Sequence, residues 1–175
     1  MINVDLSLVN SNNIENMGEI FSGCINLLSI NFDNFSTKKV KNMTSMFDSC
    51  FKLNKLNLTN LDTSNVITMD KMFYFNTELI ELDLTNFNTE KVANMSYMCN
   101  NCRELKELNV TNFDTRNVKD MSNMFSGCYY LQNLELSMMN TTNVENMSYM
   151  FSDCKKIQTL NLYYFNTKNV KNFTG

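Results

Sequence analysis

Apolar residues recur along the chain at a fixed interval of 26 residues. One copy of the pattern contains Leu53, Leu56, Leu58, Leu61, Val66, Met69, Met72 and Phe73. Its first part returns at Leu79, Leu82, Leu84 and Val92, and again at Leu105, Leu108, Val110 and Val118. Self-similarity at a period between about 20 and 50 residues is typical of solenoids, in which each repeat is one coil stacked on the next. The sequence therefore predicts a single solenoid domain, residues 1–175, of about seven 26-residue coils.

The two halves of a coil have different patterns. Leu-x-x-Leu-x-Leu has the alternation of a short strand, so stacked coils should form a parallel sheet with a strand spacing of about 4.8 Å. From Val66 to Phe73 the apolar positions fall at i, i+3, i+6 and i+7, which predicts a short helix or helical turns. An extended segment followed by one helical turn is the alternative. Thr63, between the halves, should cap the following segment or bond the next threonine in the stack.

Composition narrows the function classes. Hydrophobic residues make up 43% of the chain and charged residues 19%, with a formal net charge of -3, which suits a folded domain. Lys and Arg do not outnumber the acids or cluster on one predicted face, so we expect no nucleic-acid partner. No apolar run reaches about 18 residues, so we expect no membrane insertion.

The two ends of the chain bear on its location. Residues 1–13 lack a basic start and an apolar stretch, so they do not resemble an export signal. Neither end has an atypical capping coil, so we expect a segment truncated at both ends. The chain therefore either stays in the cytoplasm or belongs to a longer exported protein.

The motif from Leu105 to Cys128 carries a resemblance to a known family. It reads Leu-x-x-Leu-x-Val-x-x-Phe-Asp-Thr-x-x-Val-x-x-Met-x-x-Met-Phe-x-x-Cys. This pattern resembles the 26-residue repeat of BspA-type leucine-rich-repeat surface proteins, and it covers essentially the whole chain. The resemblance implies an α/β fold, namely a right-handed leucine-rich-repeat-like solenoid with a parallel sheet on one face and short helices or helical turns on the other. It also implies a parent protein that is secreted or at a microbial cell surface and engages host or neighbouring-cell proteins.

Sulfur-containing residues are the main candidates for chemistry. Five of the six cysteines share one position in successive coils, which favours buried free thiols over disulfides or metal ligands. The pair Cys99 and Cys102 forms a Cys-x-x-Cys motif, but four zinc ligands cannot be assembled from it and the chain has no histidine. The methionine columns, from Met17 to Met147, indicate core packing. We expect no catalytic residue, cofactor site or metal site.

Outward-facing strand positions are the first candidate binding surface. They form a polar, mildly acidic face of mostly short side chains, which suits an extended protein or glycan. Its candidate partner-binding residues are Glu81, Asp83, Glu107, Asn109 and Glu135. A solvated sheet surface without a ligand is the alternative.

Tyrosine pairs are the second candidate binding surface. Tyr163 and Tyr164 replace Thr-Asn in the last coil, and Tyr129 and Tyr130 follow Cys128. Exposed tyrosines are enriched at interface centres. Their other possible role is to cover a further coil.

The sequence thus favours a non-enzymatic protein-interaction or adhesion scaffold. Its partners would be extracellular-matrix proteins, host surface proteins or glycans. The alternative is a structural spacer, or a self-stacking array formed by end-to-end association.

Overall fold

Successive 26-residue coils lie on one another in parallel in a computed structural model that describes residues 2–175. Four short strands are present among these residues: β1 Ile2–Asp5, β2 Leu27–Asn31, β3 Glu81–Asp83 and β4 Glu107–Asn109. β1 pairs with β2 and β3 with β4, both in parallel. Glu81 lies opposite Glu107, so the strand register equals the repeat length.

A second line of contacts joins the coils on another side. Isolated parallel bridges connect one residue of each coil with its equivalent 26 residues later, and together they form the series Asn16, Asn42, Thr68, Asn94, Asp120, Asn146 and Asn172. The 26-residue register predicted from the sequence is therefore confirmed by the backbone pairing.

The predicted fold class, an α/β right-handed leucine-rich-repeat-like solenoid with helices or helical turns opposite the sheet, is wrong. Residues 2–175 contain no helix, and their strands form only two two-stranded parallel sheets. The segment of each coil for which a helix was expected instead forms a bridge to the neighbouring coils and then turns.

Two consecutive β-turns replace the expected helix in each coil. The third coil contains Leu53 to Asn76. There the N–H of Met72 donates to the carbonyl of Met69 at 3.2 Å, and the N–H of Asn76 donates to the carbonyl of Phe73 at 3.4 Å. The third residues of these turns, Lys71 and Phe75, have φ of 56°. A positive φ at this place is the signature of a type II turn, and it cannot occur within a right-handed helix.

The backbone hydrogen bonds explain why the turns prevail. The N–H groups of Met69, Lys71 and Phe73 donate to carbonyls of the next coil at 2.8–3.0 Å, to Asn94, Ser96 and Met98. In a helix the same groups would bond within their own segment. Stacking therefore satisfies these backbone N–H groups by hydrogen bonds between coils. These bonds offset the cost of left-handed non-glycine residues, about 1–2 kcal/mol each.

The core lies between the strands and the turns. The leucine, valine and methionine columns are almost completely buried, as at Leu53, Val66 and Met69, each 0% exposed. Phe47 lies between the rings of Phe21 and Phe73, with centroid distances of 5.7 and 5.6 Å and nearly parallel planes. Core packing of the methionine columns is thus confirmed.

A column of buried threonines connects the coils. The Thr63 hydroxyl donates to the carbonyl of Asn88 at 3.0 Å and accepts from the N–H of the same residue at 2.8 Å. Equivalent bonds link Thr37 with Asp62 in the neighbouring pair of coils. The threonine therefore bonds the backbone of the next coil. It does not bond the next threonine, which was one of its two expected roles.

Candidate functional site

A shallow groove crosses the strand side of the stack. It has a volume of about 1030 Å³ and extends across five successive coils, from Ser29 in the second to Glu135 in the sixth. Its floor consists of apolar side chains, including Leu82 and Leu108, and its walls are the polar side chains that alternate with them. We call it the strand-face groove, and it is lined by Ser29, Ile30, Lys55, Leu56, Asn57, Leu58, Thr59, Glu81, Leu82, Asp83, Lys106, Glu107, Leu108, Asn109, Thr111, Asn133 and Glu135.

The strand-face groove brings together the five strand residues predicted from the sequence. Glu81, Asp83, Glu107, Asn109 and Glu135 all line it. They become neighbours because β3 and β4 pair in register and because Glu107 bridges on to Asn133 of the next coil. A period of 26 residues thus converts distant sequence positions into one surface.

Two lysines of the groove were missed by the sequence prediction. The Lys55 ammonium lies 2.6 Å from a carboxylate oxygen of Glu81, and Lys106 lines the groove beside Glu107. Pairing with Glu81 raises the pKa of Lys55. The walls therefore carry both signs of charge, with carboxylates in excess. The position of Lys55 in the same outward column as Glu81 and Glu107 was the available signal for the first of them.

Hydrogen bonds keep two of the groove carboxylates ionised. The N–H of Thr85 donates to Asp83 at 3.0 Å and lowers the pKa of that carboxyl. The pKa of Glu135 is lowered by hydrogen bonds from Ser137, first from its side chain and then from its N–H. Such bonds stabilise the charged form of a carboxyl group. The groove can therefore offer fixed anionic acceptors over an apolar floor.

The predicted tyrosines do not join this groove. Tyr129 and Tyr130 border a separate cleft of about 390 Å³ with Arg103, Glu104 and Lys155. Their rings meet at 4.8 Å between centroids in an edge-to-face arrangement, and the Lys155 ammonium lies 5.5 Å from the Tyr129 ring centre. We call this the tyrosine cleft.

The last tyrosine pair lies in the open. Tyr163 is 83% and Tyr164 63% exposed, with their ring centroids 5.0 Å apart. Neither lines the strand-face groove or the tyrosine cleft. The nine predicted residues therefore occupy three surfaces rather than one.

The cysteines are free and lie mostly in the core, as the sequence predicted. Cys50, Cys99, Cys102 and Cys128 are buried, while Cys24 and Cys154 are half-buried. The thiol of Cys128 lies 3.1 Å from the carbonyl of Cys99, to which it donates. Burial raises the pKa of Cys50 to about 12 and that of Cys102 well above its ordinary value. These thiols have little thiolate character and little reactivity.

One coil replaces the thiol of this column by an amide. The Asn76 side-chain nitrogen donates to the carbonyl of Phe47 at 2.8 Å, as the cysteines do with the equivalent carbonyls of other coils. Its side-chain oxygen is buried and has no hydrogen-bond partner among residues 2–175. Asn76 is thus held in a place that suits a thiol better.

Charge is distributed unevenly around the stack, contrary to the expectation that basic residues do not cluster. The four-residue segments between the threonine and bridge columns, such as 38–41 and 116–119, hold eight of the 15 Lys and Arg residues but three of the 18 acids. We call this side the basic edge. The basic edge was not predicted from the sequence.

Other kinds of site were sought in the described part of the chain. Within residues 2–175, no three His, Cys, Asp or Glu side chains are placed to hold a metal ion. The same residues include no helix with the length and apolar character needed to cross a bilayer.

Comparisons with known proteins place the chain in a family. No curated protein and no solved structure matches it. One family profile matches twice, over residues 1–109 and 100–175, so the two matches together cover the whole chain. The chain therefore belongs to the family described as "Mycoplasma protein of unknown function, DUF285".

Proposed function

We propose that this chain is a non-enzymatic protein-interaction scaffold, part of a microbial surface protein that adheres to extracellular or host proteins through the strand-face groove. The observation that carries the proposal is the groove itself. It is continuous over five coils, and it combines an apolar floor with ionised carboxylates and two lysines. An extended segment of a partner protein can bury apolar side chains on such a floor while its polar groups bond the walls.

Short, well-positioned side chains support a binding role. The Asn109 side-chain oxygen accepts the N–H of Thr111 at 3.2 Å and its hydroxyl at 2.8 Å, so both residues are held before a partner arrives. Side chains that are already ordered lose little conformational entropy on binding. The resemblance of the repeat to BspA-type surface proteins supports the same class of function.

An enzymatic role has less support. The chain contains no histidine, and the buried thiols of the core have raised pKa values. The pKa values of the Asp83 and Glu135 carboxyl groups are lowered by hydrogen bonds, and lowered values do not suit general acids at neutral pH. We therefore propose that binding, and not catalysis, is the activity of this surface.

A capture experiment tests the proposal. The purified chain is immobilised and a panel of extracellular-matrix proteins is passed over it. A triple variant replaces Glu81, Glu107 and Glu135 by Gln, which preserves size and one acceptor oxygen per side chain but removes the charge. We expect wild-type binding of at least one matrix protein and a loss of roughly tenfold in the variant, since each charge-assisted contact contributes about 0.5 kcal/mol or more.

A matched control separates a local effect from net charge. The control variant replaces Glu19 and Glu78 by Gln and Asp48 by Asn, which changes the net charge equally but leaves the strand-face groove intact. It should bind like the wild type. Equal weakening of both variants, or full binding by the groove variant, would remove the groove from the proposal.

A structural spacer remains the alternative function, and one observation favours it. The coils are joined by the same backbone hydrogen bonds at every step, and a coil of a second copy can pair in the same way. Light scattering over a concentration series distinguishes the two. Open-ended growth without capture of any matrix protein supports the spacer, and a monomer that captures one supports the scaffold.

A further inference from the structure

The basic edge is a surface that the proposed function does not use. In the third coil it lies after Thr63 and before Thr68, away from the strand positions that form the groove. Its Lys and Arg side chains are exposed, and Lys38, Lys39, Lys41, Lys91, Lys119 and Lys171 supply most of its positive charge. Arg116 and Lys168 supply the rest.

Backbone hydrogen bonds join the coils along this edge. The N–H of Ala93 donates to Ile67, that of Lys119 to Ala93, and that of Lys171 to Glu145, at 2.8–2.9 Å. Each bond joins equivalent residues of adjacent coils, which are therefore about 4.8 Å apart. Over seven coils the edge forms a line roughly 30 Å long.

Ion pairs neutralise only part of the positive charge. Lys41 pairs with Glu15 at 2.7 Å, Lys171 with Glu145 at 2.5 Å, and Arg116 with Asp114 at 2.8 Å. Within residues 2–175, Lys38, Lys119 and Lys168 form no ion pair. The rest of the molecule is acidic, with seven Lys and Arg against fifteen acids. The field along this edge thus has the opposite sign to that of its surroundings.

Asparagines lie between the lysines. The side-chain nitrogens of Asn117, Asn143 and Asn169 donate to backbone carbonyls of the preceding coil at 2.7 Å. Each amide oxygen accepts no hydrogen bond from the described residues, so it is an available acceptor. These three residues line a cleft of about 250 Å³ together with Lys119, Glu145 and Lys171.

We propose that the basic edge binds a linear anionic polysaccharide, whose sulfate or carboxylate groups pair with the lysines and whose hydroxyls donate to the asparagine oxygens. The charge complementarity favours a polyanion, and the alternation of cations with acceptors favours one that also carries hydroxyl donors. The DNA backbone offers acceptors alone, at one charge per about 1.7 Å of duplex. The edge segments also contain no aromatic residue of the kind on which single-stranded bases stack.

The probes for the test are dextran sulfate, alginate, neutral dextran and a short DNA duplex. We expect the wild type to bind dextran sulfate or alginate with an affinity that falls steeply with salt, and not to bind dextran. Binding to the DNA duplex should be clearly weaker than to the better polysaccharide. Lack of binding to both anionic polysaccharides at low salt would refute the proposal. Tighter binding to the DNA duplex than to either polysaccharide would also refute it, because the ligand would then be a nucleic acid.

Two lysine variants of equal charge test the location. The first replaces the unpaired Lys38, Lys119 and Lys168 by Gln, and the second replaces Lys52, Lys71 and Lys156, which lie off the edge. We expect on the order of a tenfold loss of affinity in the first variant and a change within about twofold in the second. Equal losses would show that overall charge, not the basic edge, determines binding. Circular dichroism checks that both variants fold.

Discussion

Asn76 gives the sharpest test of how the stack is held together. Replacing it by Cys restores the residue found at this position in the neighbouring coils, as at Cys50 and Cys102. The wild-type amide satisfies the Phe47 carbonyl but leaves its own buried oxygen without a partner. A thiol in the same place keeps a donor toward that carbonyl and removes the unpaired oxygen.

The magnitude follows from two opposing effects. A buried polar atom without a partner costs about 1–3 kcal/mol. The smaller thiol leaves a void of at most about one methyl group, which costs up to about 1 kcal/mol. Asn76→Cys should therefore stabilise the protein by roughly 1 kcal/mol, which corresponds to a rise in Tm of about 2–4 °C for a chain of this size.

Thermal and urea unfolding followed by circular dichroism under reducing conditions measures the effect. The reciprocal variant Cys128→Asn places the same amide between two cysteine-bearing coils. It should lower stability by about 1–3 kcal/mol, because it creates a second unpaired oxygen in a fully buried position. A destabilised Asn76→Cys together with an unchanged Cys128→Asn would refute the reasoning and show that the amide is the preferred group.

Three further predictions follow from the turns, the threonine column and the thiols. Gly127→Ala should lower the free energy of unfolding in urea by about 1–3 kcal/mol more than Gly23→Ala does. Both glycines have positive φ, but of the two only a Cβ at position 127 would crowd a neighbouring coil, 2.8 Å from an Asn101 side-chain atom. Equal losses of stability in the two variants would contradict this prediction. Thr89→Val should lower stability by about 1–3 kcal/mol, because the buried hydroxyl donates to a carbonyl of the next coil. Thr89→Ser keeps the hydroxyl and should lose less stability. Similar losses in both variants would show that packing, and not the hydrogen bond, causes the effect. A thiol reagent at pH 8 should leave Cys102 unmodified in the native protein and modify it after unfolding, because burial raises its pKa; rapid native labelling, read by peptide mass spectrometry, would refute this.

The repeat period determined what could be predicted from the sequence. Leu82 and Leu108 are buried, Glu81 and Glu107 are exposed beside each other, and the bridges connect residues 26 apart. These results follow from alternation and period alone, because a fixed repeat brings equivalent side chains to the same place in every coil. The strand-face groove was accessible to sequence reasoning for the same reason.

The turns could not be predicted in this way. Apolar residues at Met69, Met72 and Phe73 fit one face of a helix and also fit two successive four-residue turns. The positive φ values that decide between them occur at Lys71 and Phe75 in this coil, but the Phe75 column also contains Gly23, Asn101 and Gly127, which favour such turns. Hydrogen bonds between coils stabilise this backbone, and they are not visible in a single repeat. The apolar spacing therefore pointed to a helix that stacking excludes, and the turn signal in the Phe75 column was overlooked.

The basic edge shows a second limit. Lys41, Ile67, Ala93 and Lys119 occupy the same position in four successive coils. Two uncharged residues therefore separate the two lysines in this column. The seven segments contribute between none and three Lys or Arg residues each, so the length of the basic edge is not visible in any single repeat.

The bonds between coils also determine how the protein responds to force. Each coil is attached mainly to its two neighbours, so a pull on the chain ends loads the outermost coil first and leaves the others in place. Detaching one coil releases 26 residues, or roughly 90 Å of extended chain. The stack would lengthen in equal steps, coil by coil, and absorb mechanical work at each step while the remaining coils keep their surfaces. A protein that holds two bodies together under flow gains an extensible tether from this arrangement.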